Sequence, residues 1–134
     1  MERDDGGAAS ADAGSGAQVD RVALEEFIEA GGVALLDALA EAAAADAAAQ
    51  FASLESLSHG PCAAAAAEHA LHTLKGTGAS LGLVGFAAAA ERLLDRARHG
   101  QLPEVAACEA LAGRWAADFD AFRTLCEAYR DADA

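Results

Sequence analysis

The sequence predicts an all-α protein, an antiparallel up-down four-helix bundle with a short additional helix at its N-terminus. Three observations point there. Apolar residues recur at three- and four-residue steps over long stretches. Runs of Val, Ile, Thr and aromatics that would favour strands are missing. The hydrophobic content of 54% is largely alanine, with aromatics at 5%, so the core has to be thin and closely packed, which suits helices. A length of 134 residues fits one domain with a single core.

Residues 1–18, "MERDDGGAASADAGSGAQ", are small, polar and glycine-rich without periodicity, and are expected to be a disordered tail. The bundle is expected over residues 19–131. Asp20 is a good N-cap for the first helix, and Val19 with Leu24 fits the apolar staple that brackets such a cap. That helix is short and ends at Gly31-Gly32. The second runs from about Val33 to Leu57 on a stripe of Leu36, Leu39, Ala43, Ala47, Phe51, Leu54 and Leu57. Gly60-Pro61 then stops it and starts the third helix, which ends near Gly82.

The fourth helix spans about Leu83 to His99, with Phe86, Ala90, Leu93 and Ala97 on one face. Arg96, Arg98 and His99 crowd its last turn, where cations suit the helix dipole, and Gly100 suits the C′ position. Pro103 opens the last helix, whose stripe is Cys108, Leu111, Trp115, Phe119, Phe122, Cys126 and Tyr129. Short connections force neighbouring helices to run antiparallel. The aromatic residues belong to the bundle core rather than to a cofactor site.

Charge narrows the function classes. Twenty-two acidic residues oppose 9 basic ones, a formal charge of −13. Such a field repels nucleic acid and anionic membrane surfaces, so a partner should offer a basic or apolar face. Three cysteines without a CxxC pair indicate neither a disulfide framework nor a cysteine zinc site. Cys108 and Cys126, eighteen residues apart, share a helix face and are expected in the core. No secretory segment and no membrane span is read, so a cytoplasmic location is expected. P-loop, HExxH and nucleophile-elbow motifs are absent from the sequence.

The stretch "EHALHTLKGTGASLG" (68–82) departs from this vocabulary, with two histidines, a lone lysine and three glycines. Each glycine inside a helix costs about 1 kcal/mol against alanine. At ~100° per residue, Ala67, Ala70, Leu71, Leu74, Gly78 and Leu81 form the core face. His72 lies on the far side with Ala65, Glu68, His69, Gly76 and Ala79, and Lys75 sits at the edge of that sector. Gly76, one turn after His72, removes the side chain that would shield the ring. Gly78 faces inward, where it permits close helix packing. Imidazoles in water are largely unprotonated and nucleophilic at neutral pH. Lys75 sets a cation beside anything negative attached to the ring. That combination suits transfer of an anionic group between proteins.

These residues resemble a known family. "HTLKGTGASLG" is similar to the His-x-Leu-Lys-Gly-(five residues)-Gly signature of histidine-containing phosphotransfer (HPt) domains, and "LVGFAAAAERLLDRARHG" to the helix that follows it there. The likeness extends over approximately residues 20–130 in helix order. It implies that His72 is a phosphoacceptor, that Lys75 holds phosphoryl oxygens, and that Gly76 leaves room for the partner. Gly82 matches the family glycine at the turn, and Ser80 falls where some members carry a polar residue that assists the site. The implied partner is the receiver domain of a response regulator, whose acidic pocket brings the Mg²⁺. A histidine kinase is a further partner. The docking face implied is Ala65, Glu68, His69, Ala79 and Ser80 around His72, with neighbouring surface of the second helix. The chain would then be a monomeric carrier rather than an enzyme, binding no cofactor of its own.

Other readings stand beside this one. The same motif occurs in the phosphoacceptor domain of chemotaxis-type histidine kinases, so a fragment of such a kinase or of a hybrid kinase fits. His69 is a rival acceptor. His69 and His72, an i, i+3 pair beside Glu68, are also a candidate zinc site on a structural bundle, though a third and fourth ligand are not evident. A plain surface histidine is the remaining possibility.

Overall fold

The computed structural model describes residues 19–57 and 62–133. The expectations for the tail 1–18 and for the Gly60-Pro61 stop fall outside these residues. Four helices make up the described chain, α1 (Arg21–Glu55), α2 (Ala63–Ser80), α3 (Val84–Arg98) and α4 (Val105–Asp133). They pack as a helical bundle in which α2 touches both α1 and α3, and α4 touches α1 and α3. No strand occurs among the described residues, only an isolated bridge between Val19 and Leu83.

The expected short N-terminal helix is present and ends at the expected glycine pair. It is the first arm of α1, which is interrupted at one residue, Gly32 (φ 72°, ψ −170°). Only glycine reaches that conformation without strain, so the expected division into a short and a long helical arm falls at Gly32, and the second arm begins at once. Asp20 caps this arm as expected, its Oδ1 accepting from the backbone N–H of Val22 (3.0 Å) and Ala23 (3.2 Å).

The other boundaries shift by one or two residues. α1 ends at Glu55 rather than Leu57, and α3 occupies Val84–Arg98. Pro103 does not open α4. Helix begins at Val105, because the first helical bond there runs from the Cys108 N–H to the Glu104 carbonyl (3.0 Å).

Both ends of the α2–α3 hairpin close by the same device. After α2, the Leu83 N–H bonds to the Gly78 carbonyl (2.8 Å) and the Gly82 N–H to that of Ala79 (3.0 Å). After α3, Gln101 bonds back to Arg96 (2.9 Å) and Gly100 to Ala97 (3.0 Å). This paired closure needs a left-handed residue at its pivot, and Gly82 (φ 77°) and Gly100 (φ 82°) supply it. Gly82 is doubly constrained. A Cβ there would lie 2.9 Å from that of Asp20, because the Asp20 N–H donates to the Gly82 carbonyl (2.8 Å) and straps the chain entry to this turn.

Phe86 and Phe122 are the largest fully buried side chains. Phe86 meets Phe51 and Trp115 edge-on, at ring-centroid distances of 6.4 and 5.2 Å, and Trp115 stacks on Phe119 at 4.9 Å. The expected stripe of α4 holds, although Cys108, Trp115, Phe119 and Tyr129 are only half-buried. On α3 the buried position is Leu94, with Leu93 half-buried. The step from Ala90 to the core is therefore four residues and not three.

One core residue was not foreseen. Asp118 is fully buried, its Oδ2 accepting from Arg114 Nε at 3.0 Å while Oδ1 has no partner among the described residues. Gly85 admits the Arg114 guanidinium against α3, since a Cβ at that position would collide with it.

The cysteines divide by burial. Cys62 is exposed, Cys108 half-buried and Cys126 buried. Burial pushes the thiols of Cys108 and Cys126 up, Asp37 adding to the effect at Cys126. Alkylation under native conditions near pH 8, followed by peptide mass spectrometry, should modify Cys62 first and Cys126 last, with rates apart by roughly tenfold or more. Equal rates would contradict this packing.

Candidate functional site

α2 starts as a run of alanines, the strongest helix formers, which absorbs the cost of the glycines further on. Its inner face is as expected: Ala67, Ala70, Leu71, Leu74, Gly78 and Leu81 are all buried, joined by Ala63. Gly78 is small for a packing reason. A Cβ on it would stand 2.5 Å from Cδ2 of Phe86 on α3, so this glycine lets α3 lie close against α2.

The outer face is equally distinct. Ala65, Glu68, His69, His72, Gly76, Ala79 and Ser80 are exposed, and Lys75 is half-buried at the border. At Gly76 an added Cβ would meet nothing within 4 Å. The glycine therefore fills no internal need, and the space above it is open beside His72. The Ser80 hydroxyl donates to the Gly76 carbonyl (2.9 Å), so in this conformation it is bound to its own helix and not turned to the ring. Gly82, the expected turn glycine, is buried beneath the Asp20 strap rather than part of the exposed face.

Two contacts around this face were not read from the sequence. Thr77 on α2 donates through its hydroxyl to Asp46 Oδ2 of α1 at 2.6 Å, a half-buried tie that fixes the flank of the site. Lys75 Nζ forms an ion pair with Glu91 Oε1 of α3, and the other oxygen, Oε2, lies 3.4 Å from Arg98 Nη1. The hydrogen bond from Lys75 holds the Glu91 carboxyl below its ordinary range, with Arg98 and His72 adding to the effect and partial desolvation opposing it. Glu91 is therefore ionised at neutral pH. Nothing local in the sequence announced this pair, because residues 75 and 91 meet only once the α2–α3 turn sets the register. Asp118 did leave a trace, since it falls three residues after Trp115 and four before Phe122, on the apolar stripe itself.

The electrostatic setting differs from that of the whole chain. Over α2, α3 and His99, four cations, Lys75, Arg92, Arg96 and Arg98, stand against three carboxylates, Glu68, Glu91 and Asp95, together with His69, His72 and His99. In a chain of formal charge −13, the two helices around His72 are thus close to neutral rather than strongly acidic. An anion on the ring or an acidic partner is repelled less there than by the rest of the chain.

Among the described residues, no three His, Cys, Asp or Glu side chains converge as a metal site would need. Nor is any helix there long and apolar enough to cross a membrane. Comparison of the chain with family models, curated proteins and solved structures returned no match.

Proposed function

We propose that the chain is a phosphorelay carrier of the HPt type, which accepts a phosphoryl group on His72 and exchanges it with the aspartate of response-regulator receiver domains. The observation that supports this most is the exposed His72 with open space over Gly76 and the Lys75 ammonium one turn along. The near-neutral balance of α2 and α3 in an acidic chain is in keeping with it, because a receiver's acidic pocket is an anionic partner.

In the step proposed, the unprotonated ring nitrogen forms a bond to phosphorus as the P–O bond to the receiver aspartate breaks. The aspartate leaves as a carboxylate, and the proton on the other ring nitrogen is retained or passes to water. Such transfer needs chiefly positioning and charge stabilisation. The receiver brings the Mg²⁺, and this domain presents the imidazole and a lysine. On this reading the chain is a cytoplasmic monomer with the helices in antiparallel up-down order. It has no ATP-binding or metal-dependent catalytic site of its own, and it docks neither nucleic acid nor membrane. Ala65, Glu68, His69, Ala79 and Ser80 border the docking face.

The direct test is incubation with a phosphorylated receiver, which should leave an acid-labile, alkali-stable phosphate on this chain. Absence of label across the receivers of the source organism would overturn the reading. Access over Gly76 is tested separately. Gly76→Gln should keep the bundle folded, since an exposed helical glycine costs about 0.5–1 kcal/mol that glutamine largely recovers. Transfer should slow by about tenfold or more, because a displaced partner loses the reacting geometry. Unchanged transfer kinetics would mean the opening over Gly76 has no bearing on docking.

A further inference from the structure

Lys75 is already engaged before any phosphoryl group arrives. Its Nζ is held by Glu91 Oε1, and Glu91 Oε2 faces Arg98 Nη1 at 3.4 Å. One carboxylate thus links a cation of α2 to a cation of its own helix, two turns further on. All three side chains are between a third and a half exposed, on the rim of the face that bears His72. A structural tie between α2 and α3 would not need this placement, because Gly78 and Phe86 already lock the two helices together.

A phosphoryl group on His72 brings a second anion to the same ammonium. If Lys75 turns to the phosphoryl oxygens, it leaves Glu91, and Arg98 remains as the partner for that carboxylate. If Lys75 stays, the phosphoryl group meets a neutralised lysine and a like charge beyond it. In either case phosphohistidine gains less from Lys75 than it would from an unpaired lysine.

Given the phosphocarrier reading of His72, we propose that Glu91 is a positioning residue that competes with the phosphoryl group for Lys75, lowering the stability of phosphohistidine and so favouring its onward transfer. Glu91 makes and breaks no bond in that transfer. The bond to phosphorus still passes between the receiver aspartate and the ring nitrogen, and the glutamate acts only through the lysine.

The experiment uses phosphoramidate as donor, so it does not depend on knowing the receiver. Its P–N bond breaks, ammonia leaves, and the phosphoryl group moves to the imidazole. The phosphorylated-to-free ratio of His72 is read by ³¹P NMR at fixed phosphoramidate and ammonium, in the wild type, Glu91→Gln, Lys75→Gln and the double variant. Glu91→Gln should raise the ratio by about three- to fivefold, the scale of one exposed ion pair. In the Lys75→Gln background the same change should leave the ratio unmoved, because the two residues act as a coupled pair. A labelled His72 whose ratio ignores Glu91→Gln overturns the proposal, as does an equal response in both backgrounds. A wild-type chain that takes no label at His72 overturns the phosphocarrier reading itself.

Discussion

A His72→Gln variant is expected to lose phosphoryl acceptance entirely while melting within a few degrees of the wild type. Glutamine keeps a polar side chain of similar reach but has no nucleophilic nitrogen, so no bond to phosphorus can form. His72 is exposed and contributes nothing to the buried cluster, and surface substitutions of this kind stay within about 0.5 kcal/mol. The measurement is radiolabel transferred from a phosphorylated receiver, with thermal unfolding by circular dichroism as the control for folding. Full retention of label in the variant would remove His72 from the reaction. The next residue to replace would then be His69, which lies three residues earlier on the same exposed face.

Phe86→Ala should produce the largest loss of stability. Phe86 is fully buried, touches Phe51 and Trp115 edge-on, and fills the space that Gly78 leaves open between α2 and α3. Truncating a buried phenylalanine costs about 3–5 kcal/mol through lost burial and the cavity left behind. Set against a total of about 5–15 kcal/mol for a typical domain, that lowers the melting temperature by more than about 10 °C. Urea titration of the wild type and the variant gives the difference directly. A loss below about 1 kcal/mol would show that this aromatic cluster is not the centre of the core.

The features legible in the sequence are those set by local rules. The two faces of α2 follow from helical period alone, and each residue expected outward there is exposed or on the border. Asp20 as a cap, Gly100 as a C′ residue and Gly78 as an inward close contact follow from what those residue types do in a chain, while Gly82 at the turn follows from the family resemblance. What escaped depends on register between helices. Glu91 sits in an alanine-rich stretch where nothing marks it as the partner of Lys75, and Thr77 with Asp46 joins residues thirty-one apart. Leu93 and Leu94 are adjacent, so a small change in the phase of α3 decides which is buried. The break at Gly31-Gly32 is legible too, since glycine leaves helical geometry most readily and Gly32 is where α1 does so. Asp118 has the phase of the apolar stripe, but a carboxylate there contradicts the pattern around it, so residue type alone does not place it in the core.

The strap between Asp20 and Gly82 has a bearing on how the protein can be cut and joined. Its one hydrogen bond connects the point where the chain enters the bundle to the far end of the helix that carries His72. A recombinant fragment trimmed to the first helical residue, Arg21, would forfeit the cap on α1 and the cover over the α2–α3 corner together. The safe margin for a minimal fragment therefore lies ahead of Val19. By the same token, load applied to the chain at that entry, by a tether or a fused domain, is delivered first to the corner that terminates α2, some ten residues from His72.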